Sequence, residues 1–373
     1  MALGSALFVA GCSSGGLQQS ASTTTIPPVQ VTSNPAAGAH GVPLGQRLAV
    51  AVTHGTLTSI TVISKAGTVK GALAPAATSW ASAEPLTPTT MYTVRAGLAD
   101  ESGHASTRQW RFVTAGPTTL FRAMLSPGDG AIMGVGMPVV VTTNVAIPDA
   151  NRAAFEHLLT VSSTPAVAGA WHWFSSTELH WRPVRYWPAG TKVSVAAHIA
   201  GYDAGGGAWG MKDVTVNYHI GDSHISTVDV VAHTMTVTDN GKVVKVIPVS
   251  TGRDKYPTKG GVHVVSDKSQ KVIMDSSTVG IPRNSPDGYY ETVYWDVRIS
   301  NSGEFVHAAP WSVGDQGHTN VSHGCVNVST ADAEWFYGYS QVGDVVTVLN
   351  SPVQLEPTNG IGDWQIPWAQ WAD

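Results

Sequence analysis

The sequence predicts a mainly β protein: two β-sandwiches followed by a β-rich domain with one short helix. Three observations carry this. Residues 29–220 alternate short β-type runs with turns, and Gly and Pro are plentiful while charged residues make up only 13% of the chain. Landmarks of the first half return at a fixed offset, with Trp80, Thr90 and Val94 recurring as Trp181, Thr191 and Val195. Beyond about residue 221 the pattern changes to hairpins, the clearest centred on Asp239-Asn240-Gly241 between apolar runs.

A chain of 373 residues is too long for one ordinary domain. A hydrophobic fraction of 43% suffices for packed cores. The net charge of −5 leaves no electrostatic footprint for nucleic acid. After the N-terminus no stretch approaches the length of apolar chain that spans a membrane.

Taken in order, residues 1–28 read as a leader and a tether. A short apolar run, Ala6-Leu7-Phe8-Val9-Ala10-Gly11, precedes Cys12, and a Ser/Gly/Gln/Thr stretch of low complexity follows. The small residues before Cys12 resemble the cleavage site of a bacterial lipoprotein signal, although residues 1–5 carry no Lys or Arg. That resemblance implies an exported protein lipidated at Cys12, touching the membrane only through that anchor.

Residues 29–116 form the first sandwich, with β-type runs at 47–52, 59–64, 91–97 and 109–114. Residues 117–220 repeat the plan. A repeat of this length means two copies of one domain, not a solenoid of small units. The tryptophans fit core packing, and the cluster Trp171-His172-Trp173-Phe174 leaves carbohydrate stacking open. Gly205-Gly206-Gly207 lacks the strand-to-helix context of a phosphate loop and reads as a hairpin turn.

Residues 221–350 form the third domain. Strands are expected at 262–265, 291–299, 303–307 and 345–349, with an irregular surface loop at 281–290. Ser329 and Thr330, followed by Asp332 and Glu334, can cap a short helix running to about Tyr339. Residues 351–373 form a tail whose Trp364, Trp368 and Trp371 pin it onto the preceding domain.

Chemistry concentrates between His307 and Asn327. Cys325 is one of two cysteines in the chain, and if Cys12 is lipidated it has no intramolecular partner. His307, His318 and His323 all lie close to it in sequence, and an imidazole is the usual means of activating a thiol. Gly324 allows a sharp turn beside the sulfur, whose backbone N–H groups suit an oxyanion. Nucleophile, base and oxyanion donors together suit acyl transfer. Spacing alone does not decide which histidine faces the sulfur. A zinc site from His307, His318, His323 and Cys325 has suitable ligand types, but without the tight paired spacing of structural sites.

His307 followed by Ser322-His323-Gly324-Cys325-x-Asn327 resembles the signature of the L,D-transpeptidases. Pro257–Gly261, Ile273-Met274-Asp275 and Gly362-Asp363-Trp364-x-Ile366-Pro367-Trp368 agree with it, and two immunoglobulin-like domains ahead of the catalytic domain match the mycobacterial type. The resemblance implies an enzyme without a cofactor that joins peptidoglycan stem peptides by 3→3 cross-links between diaminopimelate residues, with loss of D-Ala. It makes Cys325 the nucleophile and His307 the base, held by the Ala308 carbonyl. It assigns the oxyanion hole to the N–H groups of His323, Gly324 and Cys325, and substrate contacts to Tyr289, Met274, Trp311, Asn327 and Ser322. His318 reads as a hydrogen-bonding scaffold of the pocket. Carbapenems are the implied inhibitors. Water in place of the acceptor amine would make an L,D-carboxypeptidase, and a degenerate site would leave a wall-binding module.

Overall fold

The computed structural model describes residues 27–372, so Cys12 and the tether before residue 27 lie outside the described residues. The chain divides into two compact units, one ending at Gly116 and one beginning at Pro117.

The first unit is a β-sandwich. One sheet orders Gln30–Asn34, Ala49–Thr53, Ser79–Ser82 and Gly71–Leu73; the other orders Gly67–Thr68, Gly55–Ser64, Met91–Asp100 and Ala105–Val113. The alternation in Ala49–Thr53 turns Val50 and Val52 inward, where they meet Leu48, Trp80, Val94 and Phe112. Each run expected from the sequence falls on one of these strands.

The second unit opens with another sandwich. Ala123–Ser126, Val139–Thr143, Glu178–Pro183 and Gly169–Ser175 form one sheet, and Ile132–Met133, Val214–Ile220, Lys192–Ala197 and Leu159–Thr164 form the other. The repeat extends to packing. Gly71 leaves room for the Trp80 ring in the first sandwich, and Gly169 does the same for Trp181 in the second; a Cβ at either glycine would lie within 2.2 Å of the indole. The helix Asp149–Glu156 was not expected. Its single buried residue, Phe155, plugs the core beside Phe121, Trp173 and Tyr202. One buried position in two turns leaves too little apolar periodicity to read.

The same unit continues into two further sheets. Lys242–Pro248, Thr234–Asp239, His224–Asp229, Val345–Leu349 and Gly261–Val264 make a five-stranded sheet. Asp267–Asp275, Tyr290–Arg298, Phe305–Ala308 and Val326–Val328 make a four-stranded one. The expected hairpin turns through Asn240 and Gly241, both with positive φ, at 47° and 80°. The helix Thr330–Tyr339 starts where the cap signal puts it, with Ser329 Oγ accepting from the Asp332 N–H at 3.1 Å. Ala333 and Phe336 bury that helix against the sheets, in a core with Val297, Val306 and Val326.

The tail packs differently from expectation. It meets the five-stranded sheet through Gln365, whose Nε2 donates to the Val262 carbonyl at 2.9 Å. Its tryptophans lie on the second sandwich. The Arg182 guanidinium sits 4.6, 5.3 and 4.5 Å from the ring centroids of Trp364, Trp368 and Trp371, and donates to the Ile366 carbonyl at 2.7 Å. Arg182 is buried, and a cation removed from water is best satisfied by aromatic faces and a carbonyl. Trp371 also stacks on His172 at 4.8 Å and donates to the Ala170 carbonyl. Part of the aromatic cluster at 171–174 is therefore the seat of the tail.

Candidate active site

Two parallel strands create the site. Phe305–Ala308 pairs with Val326–Val328 in a register that sets His307 opposite Asn327, so the strand entrance brings Cys325 alongside. His307, Cys325 and Asn327 line one cleft of about 160 Å³ together with Met274, Tyr289, Trp311, Ser322 and His323. Glu291, Val293 and Val321 complete it. His318 does not reach it; it lines a neighbouring depression with His233, Arg253, Lys255 and Asn320.

His307 is almost fully buried, and its Nδ1–H donates to the Ala308 carbonyl at 3.0 Å. This fixes the neutral tautomer with Nε2 as the acceptor. Burial pushes the imidazole down to about 4, against the opposing pull of the Ala308 carbonyl and the Asn327 side chain. Asn327 is held in turn, with Nδ2 donating to Ser312 Oγ at 3.2 Å.

Cys325 is a free, half-buried thiol. Its Sγ–H donates to the Gly303 carbonyl at 3.5 Å. Burial pushes the thiol up to about 12; the charges of Glu304 and Asp296 add to this, while the Phe305 N–H and Arg298 act against it. The resting pair is thus thiol and neutral imidazole.

The turn before the sulfur is tightly wired. Gly324 has φ +125°, a conformation other residues rarely adopt. Ser322 Oγ donates to the Cys325 carbonyl at 2.7 Å and accepts from the Gly324 N–H at 3.1 Å. The Gly324 amide is therefore already engaged, which departs from the expectation that it serves an oxyanion. The N–H groups of His323 and Cys325 donate to no acceptor among the described residues.

His323 is held by its neighbours. Arg253 donates to its Nε2 at 2.8 Å and is itself paired with Asp287. Burial and the Arg253 charge hold the imidazole below its ordinary value. With one nitrogen accepting from a guanidinium, His323 is poorly placed to take a thiol proton. Tyr289 packs on His323 at 5.0 Å, and burial pushes its phenol up to about 12, so it remains a hydrogen-bond donor. Sequence reasoning did not single out Arg253, Asp287, Glu304 or Asp296. They come from separate segments and carry no motif of their own. Among the described residues no three His, Cys, Asp or Glu side chains converge as a metal site.

Comparison with known proteins agrees with this architecture. Residues 39–203 match a bacterial Ig domain, and residues 223–348 match the L,D-transpeptidase catalytic domain. The chain is 42% identical over 344 residues to L,D-transpeptidase 2 of Mycobacterium tuberculosis, covering 92% of this chain and 84% of that one. A solved LD transpeptidase in complex with imipenem is 39% identical, with TM-score 0.54, covering 61% of this chain and 97% of that one. L,D-transpeptidase 3 from Mycobacterium tuberculosis, in complex with a faropenem-derived adduct, is 37% identical, with TM-score 0.52 and coverages of 61% and 97%.

Proposed function

The chain belongs to the L,D-transpeptidase family, and from that premise we propose that Cys325 and His307 carry out a peptidoglycan acyl transfer that forms 3→3 cross-links. The observation that supports the assignment is the shared cleft. There a neutral imidazole whose Nδ1 is held by the Ala308 carbonyl, a free thiol and two unengaged backbone N–H groups line one space.

In the first half-reaction, His307 Nε2 takes the thiol proton as sulfur attacks the carbonyl carbon of diaminopimelate in a donor tetrapeptide stem. The oxyanion is stabilised by the Cys325 and His323 N–H groups. The imidazolium then protonates the departing amine, D-Ala leaves, and a thioester remains on Cys325. In the second half-reaction the side-chain amine of an acceptor diaminopimelate attacks the thioester and gives a proton to His307. Collapse expels the thiolate, which recovers its proton. Tyr289, Met274, Trp311, Asn327 and Ser322 flank the substrate, and His318 shapes the adjoining surface.

The chain is an exported cell-wall enzyme, and we place its membrane attachment at a lipidated Cys12. Two relatives hold imipenem or a faropenem-derived adduct. A β-lactam is a strained acyl donor, so carbapenems should acylate Cys325. Mass spectrometry of products from a disaccharide-tetrapeptide tests the acceptor. A cross-linked dimer with loss of D-Ala supports transpeptidation, whereas disaccharide-tripeptide alone would make the enzyme an L,D-carboxypeptidase.

A further inference from the structure

The peptide between Gly324 and Cys325 has two ends with different partners. Its carbonyl accepts a hydrogen bond from Thr258 Oγ1 at 2.7 Å. Its N–H belongs to Cys325 and has no acceptor among the described residues. In a trans peptide the C=O and N–H point in opposite directions. A hydroxyl fixing the carbonyl therefore also fixes where the N–H points, away from Thr258.

Thr258 is built for this. It is 1% exposed, and its Oγ1 also accepts the Gly252 N–H at 2.8 Å, which leaves its own proton directed at Gly324. Its main-chain carbonyl accepts from Ser351 Oγ at 2.6 Å. The next residue is tied down as well, with the Lys259 N–H donating to Glu304 Oε1 at 2.8 Å. Gly324 has no Cβ to restrict the rotation of the peptide that follows it, so the hydroxyl supplies the orientation. A hydrogen bond at the carbonyl also polarises the amide and strengthens its N–H as a donor.

We infer that Thr258 is a positioning residue of the reaction: its hydroxyl holds the 324–325 peptide so that the Cys325 N–H faces the oxyanion. This rests on the transpeptidase reading above. Thr258 touches no reacting atom and acts only through that peptide.

The test separates oxyanion stabilisation from thiol reactivity, using the full chain. Alkylation of Cys325 by iodoacetamide displaces iodide and forms no oxyanion; acylation by a carbapenem does. Thr258→Val removes the hydroxyl at nearly constant shape, and Thr258→Ser keeps it. Thr258→Val should lower the limiting rate of carbapenem acylation about tenfold or more, while the inhibitor's initial affinity and the iodoacetamide rate stay within about twofold; Thr258→Ser should restore acylation. Acylation of Thr258→Val at the wild-type rate would overturn the inference. So would a parallel loss of acylation and alkylation, or a failure of Thr258→Ser to restore the rate. If Thr258→Val does not fold, Thr258→Ala is read in the same way. Wild-type protein that is alkylated but never acylated would instead count against the transpeptidase reading.

Discussion

Cys325 donates its thiol proton to the main-chain carbonyl of Gly303, 3.5 Å away, and makes no hydrogen bond to His307. The two groups share a cleft without sharing a proton at rest. Burial acts on both in the direction of neutrality, raising the thiol and lowering the imidazole. A preformed thiolate–imidazolium pair would place two charges in a desolvated site, and the structure supplies little to compensate them. With His307 as the proposed base, proton transfer would be coupled to the arrival of a carbonyl, the sulfur turning from Gly303 toward His307.

This sets the acid limb of the reaction. The imidazole is pushed down to about 4, so it remains a competent base well below neutrality. Acylation by a carbapenem should hold nearly level from pH 7 to about pH 5, then fall as pH drops through about 4. Pseudo-first-order rates across that range provide the measurement. A midpoint near the ordinary histidine value of 6.5 would contradict the buried, neutral assignment.

The histidines should separate cleanly. Replacing His307 with Ala removes the base and should slow acylation by about 100-fold, within the usual range for general-base catalysis. His318 lies outside the cleft, and His318→Ala should cost less than about tenfold in the same assay. The opposite order would assign the base to the wrong residue.

Asp296 offers a stability test. It is fully buried, neither carboxylate oxygen has a hydrogen-bond partner, and burial pushes it up to about 7. Between the unfolded value of 3.8 and about 7 the folded state binds a proton that the unfolded state lacks. Stability should therefore fall as pH rises through that window and level off above it, by at most about 4 kcal/mol. Asp296→Asn should abolish the decline, which denaturant unfolding at pH 4 and pH 8 would show. An identical pH slope in wild type and variant would remove Asp296 from the explanation.

Local signals were the legible part of this sequence. Asn240-Gly241 makes its hairpin because both residues tolerate positive φ, and Ser329 caps its helix because its hydroxyl reaches the Asp332 amide. Both facts are contained within a few residues. The catalytic motif is similar, since the strand register alone brings Cys325, Asn327 and His307 together. Direction was not legible. Nothing in Ser322-His323-Gly324-Cys325 reveals that the Gly324 N–H turns back onto Ser322 while the Cys325 N–H does not. Long-range partners were not legible either. Thr258 reaches across 66 residues to Gly324, and Arg182 reaches across 184 to Ile366. Such pairs depend on how sheets pack, and no local pattern encodes them.

The central claim is that Cys325 is the acyl-accepting nucleophile. The most direct measurement is intact-mass and peptide mass spectrometry after incubation with a carbapenem, on wild type and on Cys325→Ala. A small residue at a half-buried thiol should leave the fold intact, which cooperative unfolding of the variant would confirm. The account predicts one added carbapenem mass, confined to the peptide containing Cys325 and absent from Cys325→Ala. Folded wild-type protein whose thiol is free to iodoacetamide, yet which gains no adduct at any pH, would contradict it.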